Sequence, residues 1–420
     1  MNRRDFLSSS ATALAATGLA SVAGAATPSR PIEEVYARLD AAAALPVLDR
    51  GPFPDPVIID SIEFLRNGET YLVRVRAKNG AEGIAISNER DIGYLFPVAQ
   101  RLMIPYLIGK DARDWEALIE GVYLHSSNYK RQGLLFWLPF ASLEFAVLDL
   151  LGRMAGRSVT TLLGGKPGGL IDIYHAHDDR HRSAEESVER MIRARDRYAT
   201  RAAKFKVGGR MSRNAEQIAG RSEAIIRLAR EKFGPEFTLY ADSNGSYDTA
   251  RGIEVGRRCD EYGIAIYEEP VPHDQYEETK AVADALRVAV AGGEQESSHN
   301  RFRWMIAHRA VDIVQPDLFY YGGLVRSIRV ARMAHEVGLG CAPHISGTGV
   351  GMLYMLHYVS CIPNMTGFQE YKSYDPNLPV DAPPQTLAAK NGQLLCPDRP
   401  GLGLTIDPAW LAAATVLPTI

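Results

Sequence analysis

Three carboxylates recur at one interval. Asp242 closes the run Leu239-Tyr240-Ala241-Asp242, Glu268 closes Ile266-Tyr267-Glu268, and Glu294 closes Ala289-Val290-Ala291-Gly292-Gly293-Glu294. The steps are 26 residues and again 26. That is the length of a strand, a loop and a helix, so each acid falls at a strand end in successive β/α repeats. In a (β/α) barrel those ends converge on one face, where the active site lies. Three carboxylates brought together repel each other unless a cation neutralises them. An all-oxygen set with no Cys or His nearby favours Mg²⁺.

Other charged residues fall at the same register. Lys204 and Lys206 alternate with Phe205, so both point to one face of a strand. Two lysines aimed into a barrel beside Mg²⁺ are each expected to have a depressed pKa, and a lysine neutral near pH 7 is a usable base. Asp317 closes Val314-Gln315-Pro316-Asp317, and His344 follows 27 residues later in Ala342-Pro343-His344. A carboxylate one strand away orients the imidazole and raises its basicity. Glu370, in Phe368-Gln369-Glu370-Tyr371, ends an eighth strand. If protonated, it would donate a hydrogen bond to a developing oxyanion. Asn244, two residues beyond Asp242, is placed to bind a substrate carboxylate.

A barrel is what must position these groups. From residue 171 the chain alternates strand and helix, with strand-like runs at 171–174, 202–207, 238–242, 265–268, 288–294, 313–317, 339–343 and 367–370. Eight strands over about 200 residues fit a TIM-type α/β barrel. Ahead of it, 57–66, 71–76 and 83–87 read as strands separated by the turn signals Asn67-Gly68 and Asn79-Gly80. Then 92–103, 112–123 and 140–154 carry helical periodicity, the last strongly apolar with Glu144 and Asp149 inside it. Three strands and three helices ahead of a β/α series indicate a separate α+β domain. The expected divisions are 27–168 for that domain, 169–370 for the barrel and 371–420 for a loop-rich tail. The lead-in 27–56 reads as loop, and the tail returns to the first domain through Gly401-Leu402-Gly403-Leu404.

Composition excludes some partners. Of 420 residues, 46% are hydrophobic and 23% charged, as in an ordinary globular core. A net charge of −3 gives no reason to expect nucleic acid or anionic lipid. Cys259, Cys341, Cys361 and Cys396 show neither metal-ligand spacing nor a disulfide framework. At the N-terminus, Asn2-Arg3-Arg4-Asp5-Phe6-Leu7 is a twin-arginine pattern. The apolar run 11–22 and the small-residue site Ala23-Gly24-Ala25 follow it, so 1–26 reads as a twin-arginine signal peptide and the mature protein as periplasmic. The apolar run is too short to span a bilayer, and no stable membrane association is expected after export.

The ordered set of residues resembles the enolase superfamily, in its mandelate racemase subgroup (the mandelate racemase/muconate lactonizing enzyme family). The resemblance covers nearly the whole chain after the leader. It includes the α+β domain, the Asp149-Leu150-Leu151-Gly152 helix end, Leu162-Leu163-Gly164-Gly165 at the boundary, the Lys-x-Lys strand, the three carboxylates, the Asp–His pair and the final Glu. It implies a modified TIM barrel, (β/α)7β, with an N-terminal α+β capping domain. It also implies that Asp242, Glu268 and Glu294 hold Mg²⁺, that Lys206 is a base tuned by Lys204, and that His344 with Asp317 supplies acid/base chemistry on the opposite face. In Glu268-Glu269-Pro270 the pattern puts the ligand at the first Glu.

The implied chemistry is abstraction of the proton α to the carboxylate of a small-molecule substrate, with electrostatic stabilisation of the enediolate. Dehydration of a sugar acid to a 2-keto-3-deoxy acid is the expected outcome, since acid-sugar dehydration is the subgroup's common activity. Racemisation, epimerisation or cycloisomerisation of a carboxylic acid or lactone is the alternative, because the same residues serve both. A reading from another class is a periplasmic binding protein that keeps the barrel without catalysis. It predicts that catalytic positions are lost, yet all are present. Substrate choice is expected to lie in the capping stretches 45–56 and 126–133, with His175 or His177 lining the pocket. The resemblance also implies a homo-oligomer.

Overall fold

Alternating apolar residues around two Asn-Gly turns build an antiparallel meander. Its strands are β1 (Ile59–Asn67), β2 (Thr70–Ala77) and β3 (Glu82–Ile86). Gly68 and Gly80 take φ of 59° and 85° at the turns, a region open to glycine without strain. The computed structural model describes residues 31–346, 350–372 and 378–418; the twin-arginine leader lies outside them. The helix Leu134–Ala155 packs across β2 and β3 and ends at Gly156 in the left-handed conformation, φ 62°. It is long and apolar enough to cross a bilayer, but 89% of its most apolar window is buried inside the protein, so it is a core helix.

The two acids inside that helix act as clasps. Asp149 accepts hydrogen bonds from Ile84 N (2.9 Å), Leu402 N (2.8 Å) and Arg153 Nε (2.6 Å). It thereby ties β3 to the Gly401–Leu404 run. Glu144 accepts from Trp115 Nε1 (2.9 Å) and from Val325 N (3.0 Å), the first turn of the barrel helix Leu324–Glu336. Burial pushes the Glu144 carboxyl up to about 7.

Two expectations for this region are corrected. The lead-in is not all loop: Ile32–Ala44 is a helix, with Leu39, Ala42 and Ala43 buried. It lies on the barrel helices His299–Ala307 and Leu324–Glu336, where Arg38 pairs with Glu336 (3.0 Å) and Tyr36 Oη meets His308 Nε2 (3.0 Å). The helix expected over 92–103 is interrupted. Ile92–Val98 gives way to a π turn at Ala99–Met103 and then to Ile104–Leu107. Pro97 has no N–H for the helical ladder, which is a local reason for the break.

Eight parallel strands follow: β4 (Leu170–Ala176), β5 (Ala202–Lys206), β6 (Thr238–Asp242), β7 (Ile266–Glu268), β8 (Ala289–Gly292), β9 (Ile313–Val314), β10 (Gly340–Cys341) and β11 (Gln369–Tyr371). Seven helices alternate with them: Ala184–Tyr198, Arg221–Phe233, Thr249–Glu261, Tyr276–Ala285, His299–Ala307, Leu324–Glu336 and Gly351–Val359. Start signals are visible in the sequence. Ser183 and Glu186 form a reciprocal capping box, and Asp248 accepts from Arg251 N. The ring is joined by pairing of β11 with β4 and by a bridge between Cys341 and Met365. The tail pairs back onto the rest of the chain: Gln393–Leu395 runs antiparallel to the start of β4, Gly401 bridges Ser158, and Thr415–Val416 adds to the edge of β1.

Candidate active site

Period-two alternation stacks the barrel interior in layers. Tyr174, Ala202, Tyr240, Ile266, Ala291, Ile313 and Ala342, from seven different strands or strand ends, form one buried cluster with Phe368 packed against it. Two residues further along, toward the C-terminal ends, the same faces carry Lys204, Asp242, Glu268, Gln315, His344 and Glu370. Register aligns them sideways. Lys206 pairs with Asp242, Asp242 with Glu268, and Asp317 with His344 across neighbouring strands.

Asp242, Glu268 and Glu294 are all buried, and one oxygen from each lies within 4.8 Å of the others. Lys206 Nζ donates to Asp242 Oδ2 and to Asn244 Oδ1 (3.1 Å). Lys204 Nζ stands 2.9 and 3.0 Å from the two Glu268 oxygens and 3.5 Å from both Asp242 and Glu370. Gln315 Nε2 donates to Glu268 Oε2 (3.1 Å). His344 Nδ1 lies 2.6 Å from Asp317 Oδ2, while Asp317 Oδ1 accepts from Phe319 N, Tyr320 N and Ser346 Oγ. That carboxylate is an acceptor only, so Nδ1–H donates and His344 Nε2 is the nitrogen offered to the cavity. Asn244, at φ 44°, donates its own N–H to Asp242 Oδ1 and holds Lys206 and Arg180 with its side-chain oxygen. It lines the cavity, already engaged as an organiser of the triad.

Opposite charges hold one another ionised here. Burial opposes the charge of Lys204, but Glu268, Glu370 and Asp242 outweigh burial and hold its pKa well above the ordinary value. Burial raises the pKa of Glu370, but Lys204, Lys372 and His344 outweigh that and hold it well below the usual range. Burial lowers the His344 imidazole, and Glu294 and the Asp317 hydrogen bond more than reverse this.

The triad itself fits a hard divalent cation. All three donors are carboxylate oxygens. Burial and the neighbouring Asp242 charge push Glu268 up to about 8, so the cluster resists carrying three negative charges unaided. Glu269 Oε1 beside them is buried with no hydrogen-bond partner.

A cavity of about 570 Å³ opens onto this layer, lined by Lys206, Asn244, Glu294, His344, Glu370 and Lys372. His177 also lines it, as expected, and so do Glu89 and Arg90 from the turn after β3. Neither 45–56 nor 126–133 contributes a lining residue. Gln132 instead borders a separate cavity of about 550 Å³ beside the start of His299–Ala307. Two cationic residues went unread in the sequence. Arg180, buried four residues past β4, reaches Asn244 Oδ1 (2.7 Å) and Asp178 Oδ1 (2.6 Å), and no local pattern announces it. Lys372 was findable, because it sits two residues beyond Glu370 and period two puts both on one face.

Residues 186–410 match the family described as enolase C-terminal domain-like. The chain is 27% identical over 315 residues to arabinonate dehydratase of Saccharolobus solfataricus, covering 73% of this chain and 80% of that protein. It is 28% identical over 315 residues to D-galactarolactone cycloisomerase of Agrobacterium fabrum, covering 72% and 80%. A solved mandelate racemase/muconate lactonizing protein from Paracoccus denitrificans, complexed with magnesium, matches with a TM-score of 0.77 at 26% identity, covering 86% of this chain and 100% of that one. The fold is a capped barrel, with the carboxylate triad, Lys206 and His344 gathered at one end of it. This chain belongs to the enolase superfamily, in its mandelate racemase/muconate lactonizing branch.

Proposed function

We propose that this protein is a carbon–oxygen lyase that dehydrates a sugar acid to a 2-keto-3-deoxy acid, with Mg²⁺ held by Asp242, Glu268 and Glu294. The observation that carries this reading is one cavity that reaches the buried carboxylate triad at Glu294 and has two acid/base groups on its wall, Lys206 ending β5 and His344 beyond β10. The match to arabinonate dehydratase supports the substrate class. Asp242, Glu268 and Glu294 would hold a divalent cation, which would supply positive charge to stabilise the enediolate formed when the α-proton leaves.

The chain's own residues do the rest. Lys206 or His344 takes the α-proton. Asp317 orients His344 through Nδ1, leaving Nε2 free to take or give a proton. Loss of hydroxide from the next carbon, with a proton returned to it from the second group, gives water and an enol that tautomerises to the 2-keto acid. Lys204 stays charged and holds Glu268 and Glu370 in place.

Cycloisomerisation is the second reading, favoured by the match to D-galactarolactone cycloisomerase. Racemisation or epimerisation uses the same pair of groups, with the second residue returning the proton to carbon. The Arg3-Arg4 leader supports export by the twin-arginine route to the periplasm, and the family resemblance supports a homo-oligomer. The test is a library of aldonic and aldaric acids and their lactones, incubated with the leader-free protein and Mg²⁺. Formation of 2-keto acid from one or two acids supports the lyase reading. Ring opening or closure without keto acid transfers the assignment to cycloisomerase.

A further inference from the structure

The second cavity, of about 550 Å³, takes no part in any step above. It shares no lining residue with the catalytic cavity, although both are built on the same two loops: Gln295 and Tyr320 line one, Ser297 and Tyr321 the other. Arg326, in the helix Leu324–Glu336, is the group on its wall that calls for a partner. It is only 8% exposed. Its guanidinium lies between two rings, 3.4 Å from the Trp137 centroid and 4.2 Å from that of Tyr321. The rings cover its faces and leave the edge, which carries all five N–H groups. Two bonds are made there, from Nη1 to Tyr321 O and from Nη2 to Ser297 O (3.0 Å), and both acceptors are neutral carbonyls. The neighbouring Arg329 has an ion pair, with Glu116 at 2.8 Å; among the described residues Arg326 has none. Glu144 acts on it only through space, and is bonded instead to Trp115 and Val325. A buried cation without a counter-ion is costly to keep.

Other donors meet at the same cavity. Tyr321 is fully buried and its Oη has no hydrogen-bond partner; Arg329 Nε is buried without one too. The helix His299–Ala307 starts there. Ser298 gives it no side-chain cap and its ladder begins at Phe302 N, so the N–H groups of His299 and Asn300 stand outside the ladder, at the positive end of the helix. The surroundings are cationic: burial, with the charges of Arg326 and Arg329, lowers His299 to about 4. The acids on the wall do not answer Arg326, since Asp40 pairs with Arg303 (2.5 Å) and Glu120 is exposed. Ile119, Tyr123 and Ala43 add apolar wall, and the volume suits a small organic molecule better than a bare ion. We propose that this cavity binds a small organic acid through its oxyanion, a carboxylate or a phosphate, with Arg326, Tyr321 Oη and the start of His299–Ala307 as the donors. The site is separate from the catalytic one, and the inference does not depend on the proposed reaction.

The test is fluorine NMR of the protein labelled with 5-fluorotryptophan, in the presence of Mg²⁺. The chain has four tryptophans, and Trp137→Phe identifies the signal of Trp137, which lies on Arg326. Inorganic phosphate, benzoate and benzamide, the neutral isostere of benzoate, are titrated separately. The expected result is a saturable shift of the Trp137 signal with phosphate or benzoate and none with benzamide; the tighter of the two anions names the oxyanion. Tyr321→Phe keeps the ring and removes an unpartnered hydroxyl, so it should melt as wild type does and bind the anion about 10-fold or more weakly, as loss of a hydrogen bond to a charged group predicts. Arg326→Met should abolish the shift; if that variant does not fold, Tyr321→Phe decides alone. Lys206→Ala, which alters the catalytic cavity only, should leave the titration unchanged. A titration weakened by Lys206→Ala and not by Tyr321→Phe would put the anion in the catalytic cavity and overturn the proposal. So would the absence of a saturable shift with either anion, or an equal shift with benzamide. Each of these results leaves the dehydratase reading standing.

Discussion

Glu144 is the sharpest test of the energetics, because burial and hydrogen bonding pull it in opposite directions. Its carboxyl lies in the helix Leu134–Ala155 and accepts from Trp115 Nε1 and Val325 N. Both bonds favour the ionised form, yet burial wins and the pKa is pushed up to about 7 from 4.5. A folded-state pKa above the unfolded one means that the native protein keeps a proton which the unfolded chain releases. The stability from this group is then fully present below pH 4.5 and is lost as pH rises through about 7. The gap corresponds to about 3 kcal/mol. Glu144→Gln removes the titratable group at a cost that does not depend on pH, because its NH2 must face one of the two N–H donors, which bond to different carboxylate oxygens. Relative to wild type, the variant should gain about 2–3 kcal/mol of unfolding free energy between pH 5 and pH 8, measured by urea unfolding at both values. Glu144→Ala, which strands two buried N–H groups, should cost about 2–6 kcal/mol at either pH. If the difference between Glu144→Gln and wild type does not change between pH 5 and pH 8, the folded-state pKa is not raised and the two hydrogen bonds offset burial.

Further expectations follow from other contacts. Asp149→Ala removes the acceptor for Ile84 N and Leu402 N, so it should cost about 2–6 kcal/mol and expose the tail beyond Cys396 to limited proteolysis before the core unfolds. Added MgCl₂ should raise the melting temperature of wild type, by the equivalent of about 2.7 kcal/mol at a hundredfold excess over Kd. Glu268→Gln, which loses one charge of the triad, should blunt that rise in calorimetric melts. Asp317→Asn should lower turnover about 10²- to 10⁴-fold with Mg²⁺ binding unchanged, since it sets the orientation of His344 and lies outside the triad.

Much of the site was legible because strand ends recur. Asp242, Glu268 and Glu294 were found from spacing alone, and the interior layers follow from period two. What was not legible depends on contacts between distant elements. The strand expected at 313–317 is only Ile313–Val314, and Asp317 meets His344 through an isolated bridge beyond it. The surroundings of Lys204 were not legible either, because Glu268 at 2.9 Å and Glu370 at 3.5 Å come from other strands. The helix Ile32–Ala44 was missed for a different reason. Its apolar residues Ile32, Val35, Tyr36, Leu39, Ala42 and Ala43 do recur at helical spacing, but Pro31 at its start provides no capping side chain, and the proline-rich run after it suggested loop. The acids Glu144 and Asp149 stood out inside an apolar helix, but their partners lie up to 253 residues away.

The central claim is that Lys206 and His344 move a proton α to a carboxylate. It is tested most directly by NMR in D₂O, following deuterium at Cα of D-arabinonate, D-gluconate and galactarate with wild type, Lys206→Ala and His344→Asn, each with Mg²⁺. The account predicts deuterium incorporation or 2-keto acid formation with wild type on at least one acid, and its loss in at least one variant that melts normally. Exchange that persists in both variants, or no exchange and no product with wild type on any of the three, would contradict it.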